Sequence, residues 1–270
     1  MPEDFKGFLS LKGRVWAECA IELGEPLHIG AGKDPTAPID LPVLRNAKGV
    51  PIIPGSTLKG FFRSYLSRLL YGYKLAGGTR IEVEEAQIDI GNCVDSVAED
   101  MEDLAELGEL CILDRIFGYA GSNISLASVI KFTDATSTNI PTSESTLKRT
   151  HVKIDRIRDA TERGMLVNVE AVKEHSKEYP TSFKFTIVFD ELGDEYYKES
   201  NKLFYFLLHM LYGGMEAFLG GWKSRGYGKV KIKLEKVKYF SISDLLLERQ
   251  PREISGDPLK QWIIEKMQGG

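Results

Sequence analysis

The sequence predicts an α+β fold with a ferredoxin-like (RRM-like) core carrying long insertions. Three observations predict it: period-2 apolar alternation in four segments, 3.6-period apolar stripes in two, and their order of strand, helix, strand, strand, helix, strand.

The first strand spans 14–23, where Val15, Ala17, Cys19, Ile21 and Leu23 alternate with bulkier or charged residues. A Gly/Pro-rich loop follows from 24 to 55, broken by Pro26, Pro35, Pro38, Pro42, Pro51 and Pro54. Structureless stretches of that length inside a domain are usually functional or disordered. Ser56 is read as the cap of the first helix, whose apolar stripe is Leu58, Phe61, Phe62, Tyr65, Leu66, Leu69 and Leu70, with Gly72 as its stop. Residues 126–135 read as the second strand and 182–189 as the third. The second helix is expected from about 200 to 218, and the fourth strand starts at Lys229. A tail from 240 to 270 ends in one short helix near 259–267. All of 1–270 is read as a single domain.

Between 82 and 109 there are about eleven acidic residues and no Lys or Arg. Like charges at that density repel phosphate, so 73–125 is expected to be an acidic surface insertion. The stretch 148–163 is the reverse, with Lys148, Arg149, Lys153, Arg156, Arg158 and Arg163 inside an insertion from 136 to 180.

The 270 residues, 43% of them hydrophobic, suffice for one substantial core. A net charge of −4 argues against coating nucleic acid by bulk charge, while leaving room for local basic patches. No apolar run approaches a membrane span and no signal-peptide core opens the chain. Three scattered cysteines, Cys19, Cys93 and Cys111, make no disulfide framework, so a cytoplasmic protein with free thiols is expected. Cys93, Cys111 and Asp114 are weak zinc candidates, short of the four thiolate or imidazole ligands of a structural site.

Two nucleotide motifs fail. Gly32-Lys33 would need Gly at 27 and Ser or Thr at 34 to form a P-loop, and those positions hold Leu27 and Asp34. The glycines at 220–228 follow a helix, whereas the dinucleotide fingerprint follows a strand. That segment suits a close backbone approach to RNA, with Lys223 and Arg225 for charge and Trp222 or Tyr227 for stacking; the alternative is a tight helix-to-strand turn. The first helix start, with Lys59 and Arg63 one turn apart, suits phosphate, or is an ordinary amphipathic helix end. His28 stands at the end of the first strand. Asp40 stands in a proline-stiffened loop where an isolated Asp is ordinarily a turn former, and sequence alone does not make it catalytic.

Taken together, the segments Leu27-His28-Ile29-Gly30-Ala31-Gly32, Ile39-Asp40-Leu41-Pro42-Val43-Leu44-Arg45, Ile53-Pro54-Gly55-Ser56-Thr57-Leu58-Lys59-Gly60, Val152-Lys153-Ile154-Asp155-Arg156 and Ser224-Arg225-Gly226-Tyr227-Gly228 resemble the RAMP superfamily, specifically the Csm/Cmr-type backbone subunits of type III CRISPR effectors. Phe117-Gly118 and Phe132-Thr133-Asp134-Ala135 also fit, and the likeness spans roughly 10–239. The resemblance implies a subunit that stacks with copies or related RAMP subunits along a guide crRNA, beside a large subunit and small subunits, and wedges a thumb into the guide–target duplex. It implies cleavage of target RNA at regular intervals with Mg²⁺ or Mn²⁺. Its catalytic position matches Asp40. Its RNA-binding positions match His28, Gly30, Ser56, Lys59, Arg63, Lys223, Arg225, Gly226 and Tyr227, with Lys153 and Arg156 on the thumb at roughly 151–172. Relatives often carry Cys-x-x-Cys before Phe-Gly, where this chain reads Cys111-Ile112-Leu113-Asp114, so zinc is not expected. The alternative within the same family is a non-catalytic scaffold in which Asp40 only shapes its loop. A guide-processing nuclease is disfavoured by the lack of a general-base His pair.

Overall fold

The computed structural model describes residues 5–32, 39–91, 93–96, 106–138, 145–174 and 181–269. Asp34 and its loop, the acidic residues at 97–105, and the expected insertion residues 139–144 and 175–180 lie outside that set.

Strand β1 (Leu11–Leu23) buries Val15, Ala17, Cys19, Ile21 and Leu23, the side-chain alternation expected of a half-buried strand. β2 (Ile52–Ile53) leads into α1 (Gly55–Leu75), which buries Leu58, Phe62, Leu66 and Leu70, one residue per turn. The segment after α1 forms a hairpin of β3 (Arg80–Val83) and β4 (Ala86–Asp89), a short α2 (Ile112–Phe117) and a small hairpin of β5 (Tyr119–Ala120) and β6 (Ser125–Leu126). β7 (Ile130–Phe132) and β8 (Ala135–Ser137) follow, then a long hairpin of β9 (Thr146–Asp155) and β10 (Ala160–Val172). The chain completes its core with β11 (Ser182–Leu192), α3 (Lys198–Gly213), β12 (Met215–Phe218), β13 (Lys229–Ser241), α4 (Ile242–Leu246), β14 (Arg252–Ser255) and α5 (Asp257–Gln268).

The main sheet runs β12-β13-β1-β11-β8-β2, with β7 also on β11 and β14 on β13, and its pairings are antiparallel. Among the expected elements this is fourth strand, first, third, second. That order is the ferredoxin-like topology, with α1 and α3 supplying the crossovers. Ala17 pairs with Ile187 on one side and Val237 on the other, at the centre of the sheet.

Five local expectations are corrected. Ser56 does not cap α1: Pro54 holds that position, and the free Gly55 N–H donates instead to Asp134 Oδ1 at 2.8 Å. Gly55 is required there because a Cβ would lie 2.3 Å from the Phe132 carbonyl oxygen. Gly72 does not stop the helix, which reaches Leu75. The expected strand at 126–135 is divided among β6, β7 and β8. The second helix ends at Gly213, where Gly214 takes φ +83°; Met215 and Ala217 then turn inward and Glu216 and Phe218 outward, so that stretch is a strand. The acidic segment is not merely surface, because it buries Ile88, Ile90, Val94, Leu113 and Phe117 in the main core. The tail is likewise core: Leu259, Ile263 and Met267 are fully buried, and Lys266 Nζ reaches both carboxylate oxygens of Glu191 at 3.1 Å. No helix among the described residues is long and apolar enough to cross a membrane.

Candidate nucleic-acid interface

β1 ends at Leu23, and the chain leaves the sheet through Pro26 to Gly30. The turn after β12 lies directly on this exit. Gly221 N donates to the His28 carbonyl at 3.0 Å and Gly228 N to the Pro26 carbonyl at 2.8 Å. A Cβ on Gly220 would lie 2.3 Å from the His28 carbonyl oxygen, and one on Gly228 2.0 Å from that of Leu219. Both glycines also have positive φ. The glycine segment thus answers first to the packing of two loops, while Gly221, Lys223, Ser224, Arg225 and Gly226 are exposed.

Described parts of the 24–55 segment, at Leu27, Asp40 and Leu41, lie along the base of the β9–β10 hairpin. Leu27 and Val172 exchange both backbone hydrogen bonds, at 2.9 and 2.8 Å. Leu41 N donates to the Asn168 carbonyl at 3.2 Å, and Glu170 N to the Leu41 carbonyl at 3.0 Å. Asp40 is exposed, and its Oδ2 accepts the Asn168 N–H at 2.7 Å. The carboxylate is therefore held by the hairpin backbone.

Glu170 sits at the centre of this joint. Its buried carboxylate accepts from Val43 N at 2.9 Å, the Arg45 guanidinium at 2.7 Å and the Thr146 hydroxyl at 2.8 Å. Burial pushes its carboxyl upward, but these three donors outweigh burial and hold it below the usual glutamate range. Its carbonyl accepts from His28 Nδ1 at 2.6 Å. One residue thus fixes loop, hairpin and imidazole together. Sequence reasoning passed over Glu170, a lone Glu in an apolar run, because nothing local shows that its three partners come from different segments.

An open cleft of ≈ 540 Å³ lies between these parts, lined by His28, Gly30, Leu41, Gly221, Trp222, Ser224 and Arg225. Trp222 stacks on His151 of β9 at 4.7 Å between ring centroids and carries the Arg225 guanidinium 4.4 Å from its own ring centre. Tyr227 is corrected as a stacking candidate: its ring is fully buried with Val169 and Ala171, and its hydroxyl bonds His151 Nε2 at 2.8 Å. Burial, with Arg225 and Arg149 nearby, lowers the His151 pKa and favours the neutral ring. Lys153 and Arg156 are exposed on the outer part of the hairpin, where Val152, Ile154, Ile157 and Leu166 also face outward.

On α1, Ser56 is exposed and Lys59 half-buried. Burial, then repulsion from Arg63, lowers the Lys59 pKa. Arg63, expected at the RNA, is engaged within the fold. Its guanidinium turns inward to both oxygens of Asp95, at 2.8 and 3.2 Å, to Asp114, and to the Gly118 carbonyl at 3.0 Å. Asp114 is fully buried and also accepts from Ser96 N, Ser96 Oγ and Cys111 N. It is corrected as a zinc candidate, and so are its partners: Cys93 and Cys111 are joined in a disulfide, which also overturns the expectation of three free thiols. Only Cys19 remains free among the described cysteines, buried in the sheet. No cluster of three or more His, Cys, Asp or Glu suited to a metal occurs among the described residues.

Comparison with known proteins fits this geometry. The model of the RAMP superfamily matches residues 20–231. The chain is 34% identical over 236 residues to the CRISPR system Cms endoribonuclease Csm3 of Methanocaldococcus jannaschii, an alignment covering 83% of this chain and 81% of that protein. Among solved structures it resembles a chain of the Type III-B Cmr-beta complex bound to cognate target RNA, with TM-score 0.54 and 15% identity over 81% of this chain and 96% of that one. A chain of the same complex in its apo state gives TM-score 0.53 and 16% identity at the same coverage. At such identity the two structures speak for the fold.

Proposed function

We propose, from the premise that this chain belongs to the RAMP superfamily, that it is a guide-RNA-binding backbone subunit of a type III CRISPR effector and that Asp40 cuts the RNA paired with the guide. The observation that carries the reading is the hydrogen bond from Asn168 N to Asp40 Oδ2. It ties an exposed carboxylate to the base of the hairpin that would part the duplex. A base pair opened by that hairpin would leave its scissile phosphate next to the carboxylate, and in-line attack by the adjacent 2′-hydroxyl needs a nucleotide twisted out of helical geometry. The protein's contribution is then positioning and charge stabilisation.

A divalent ion fits this donor set in one way only. Asp40 offers a single carboxylate with one oxygen already bonded, which suits Mg²⁺ or Mn²⁺ held largely by RNA phosphate and water, with Asp40 as its one protein ligand. When bound, such an ion neutralises charge developing on the phosphate oxygens. The same hydrogen bond favours a second reading, in which Asp40 shapes the loop and the subunit only scaffolds the guide.

Partners in this reading are the guide crRNA, target RNA, further RAMP subunits, and the large and small subunits of the effector. Lys59, Lys223, Ser224 and Arg225 present cations and a hydroxyl to the guide backbone. Spreading such contacts over many subunits lets each keep an acidic pI. The test is to assemble the complex with Asp40→Ala, add complementary RNA with Mg²⁺ or Mn²⁺, and map the products. We expect one or more periodic cuts to vanish while target affinity stays within about threefold. Unaltered cutting would leave the scaffold reading standing.

A further inference from the structure

The imidazole of His28 is 5% exposed, yet it lines the open cleft. Its Nδ1 lies 2.6 Å from the Glu170 carbonyl oxygen. A carbonyl oxygen only accepts, so Nδ1 carries the proton, and in the neutral ring Nε2 is left with a lone pair. Nε2 has no hydrogen-bond partner among the described residues. The ring edge bearing it lies between two glycines of the cleft: a Cβ on Gly30 would be 3.1 Å from Nε2, and one on Gly221 3.4 Å from Cδ2. Among the described residues, these glycines place no side chain over that nitrogen. A buried acceptor whose other nitrogen is committed to the backbone selects for a donor.

A phosphodiester carries no proton, so it meets a lone pair at Nε2 unfavourably, whereas a ribose 2′-hydroxyl donates to it. The cation of the same cleft is engaged elsewhere: the Arg225 guanidinium lies over the Trp222 ring. Charge and hydroxyl recognition are therefore assigned to different residues. We infer that His28 Nε2 accepts a hydrogen bond from a ribose 2′-hydroxyl of the bound strand, and that this contact makes the cleft discriminate RNA from 2′-modified or deoxy strands. The inference rests on the guide-binding reading and narrows it from nucleic acid to a named atom of the ribose.

The experiment measures binding of the full chain to a fluorescein-labelled oligouridylate and to its 2′-fluoro counterpart, which keeps the RNA sugar pucker and accepts but does not donate. The parent is expected to prefer the hydroxyl strand by roughly 2- to 10-fold, the range of one neutral hydrogen bond. His28→Phe keeps the ring volume and removes both nitrogens. Gly30→Ala keeps both ring nitrogens and sets a methyl 3.1 Å from Nε2, close enough that the ring must give slightly and that Nε2 is covered. In both, the preference should collapse to about one, while in Lys59→Ala it should persist as overall affinity drops. Neither His28→Phe nor Gly30→Ala should alter the dependence of affinity on salt. Persistence of the preference in both variants overturns the inference. So does a fall of about 0.7 in the salt slope of His28→Phe, which would mark the ring as a cationic phosphate contact. If the parent and Lys59→Ala bind neither strand, the guide-binding reading fails with it; if Lys59→Ala weakens binding but no 2′-preference exists in the parent, only the present inference fails.

Discussion

Two arginine–carboxylate clusters in this molecule look alike in sequence and behave differently in space. In the first, Arg63 closes on Asp95, Asp114 and the Gly118 carbonyl, and Asp114 adds the Ser96 and Cys111 donors. Donors and acceptors there are directed at one another, and the product is a fixed α1–α2 junction. In the second, Glu170 collects Val43, Arg45 and Thr146, while its carbonyl holds His28 and its neighbour Asn168 holds Asp40. That cluster ends at a cleft-lining imidazole, His28, and at the exposed carboxylate of Asp40. A closed polar cluster specifies the fold; an open one, braced from behind, can meet a ligand.

The largest effect expected from this contrast is in the closed cluster. Asp114→Ala leaves the half-buried Arg63 short of a counter-charge and should cost ~3–5 kcal/mol. It should appear in denaturant midpoints, while the folded fraction binds RNA as the parent does. A loss of RNA affinity at unchanged stability would break the distinction.

Glu170→Gln should come next. It replaces an anion accepting three hydrogen bonds by an amide and should cost roughly 2 kcal/mol, with a larger loss of cutting than of guide retention in the assembled complex. pH sharpens this case. The folded-state pKa of Glu170 lies below its unfolded value, so its stabilisation is present above about pH 4.5 and is lost as pH falls through the lower folded value. The stability gap between parent and Glu170→Gln should narrow on acidification through that window. A gap independent of pH would show that the charge of Glu170 is not what braces the joint.

Tyr227→Phe is the smallest change, removing the hydroxyl that bonds His151 and keeping the buried ring. About 1 kcal/mol of stability is expected to go. Amide exchange should quicken in β9 and β10 and stay unchanged in β1 and β11; uniform quickening would mean that the hairpin is not an independently mobile part.

The ferredoxin-like order was legible because each core element carries its own period: alternation in β1, β11 and β13, and a one-residue-per-turn stripe in α1. Boundaries failed where one residue outweighed the period. Gly214 ended α3 and turned its apolar continuation into β12, and Asp134, distant in sequence, did the capping expected of Ser56. Site residues show the same dependence on distant partners. Arg63 and Tyr227 have the chemistry of RNA contacts, but their partners Asp95, Asp114 and His151 lie on other segments.

Periodicity, glycine placement and the ordered short motifs thus sufficed for the topology and for the neighbourhood of the site, because those properties are written along the chain. Which cation faces inward, which imidazole nitrogen keeps a lone pair, and which carboxylate braces the loop were decided only by tertiary contacts. A side chain's chemistry is set by its partners, and in this fold the partners of His28, Asp40 and Arg45 arrive from a hairpin more than a hundred residues further along the chain.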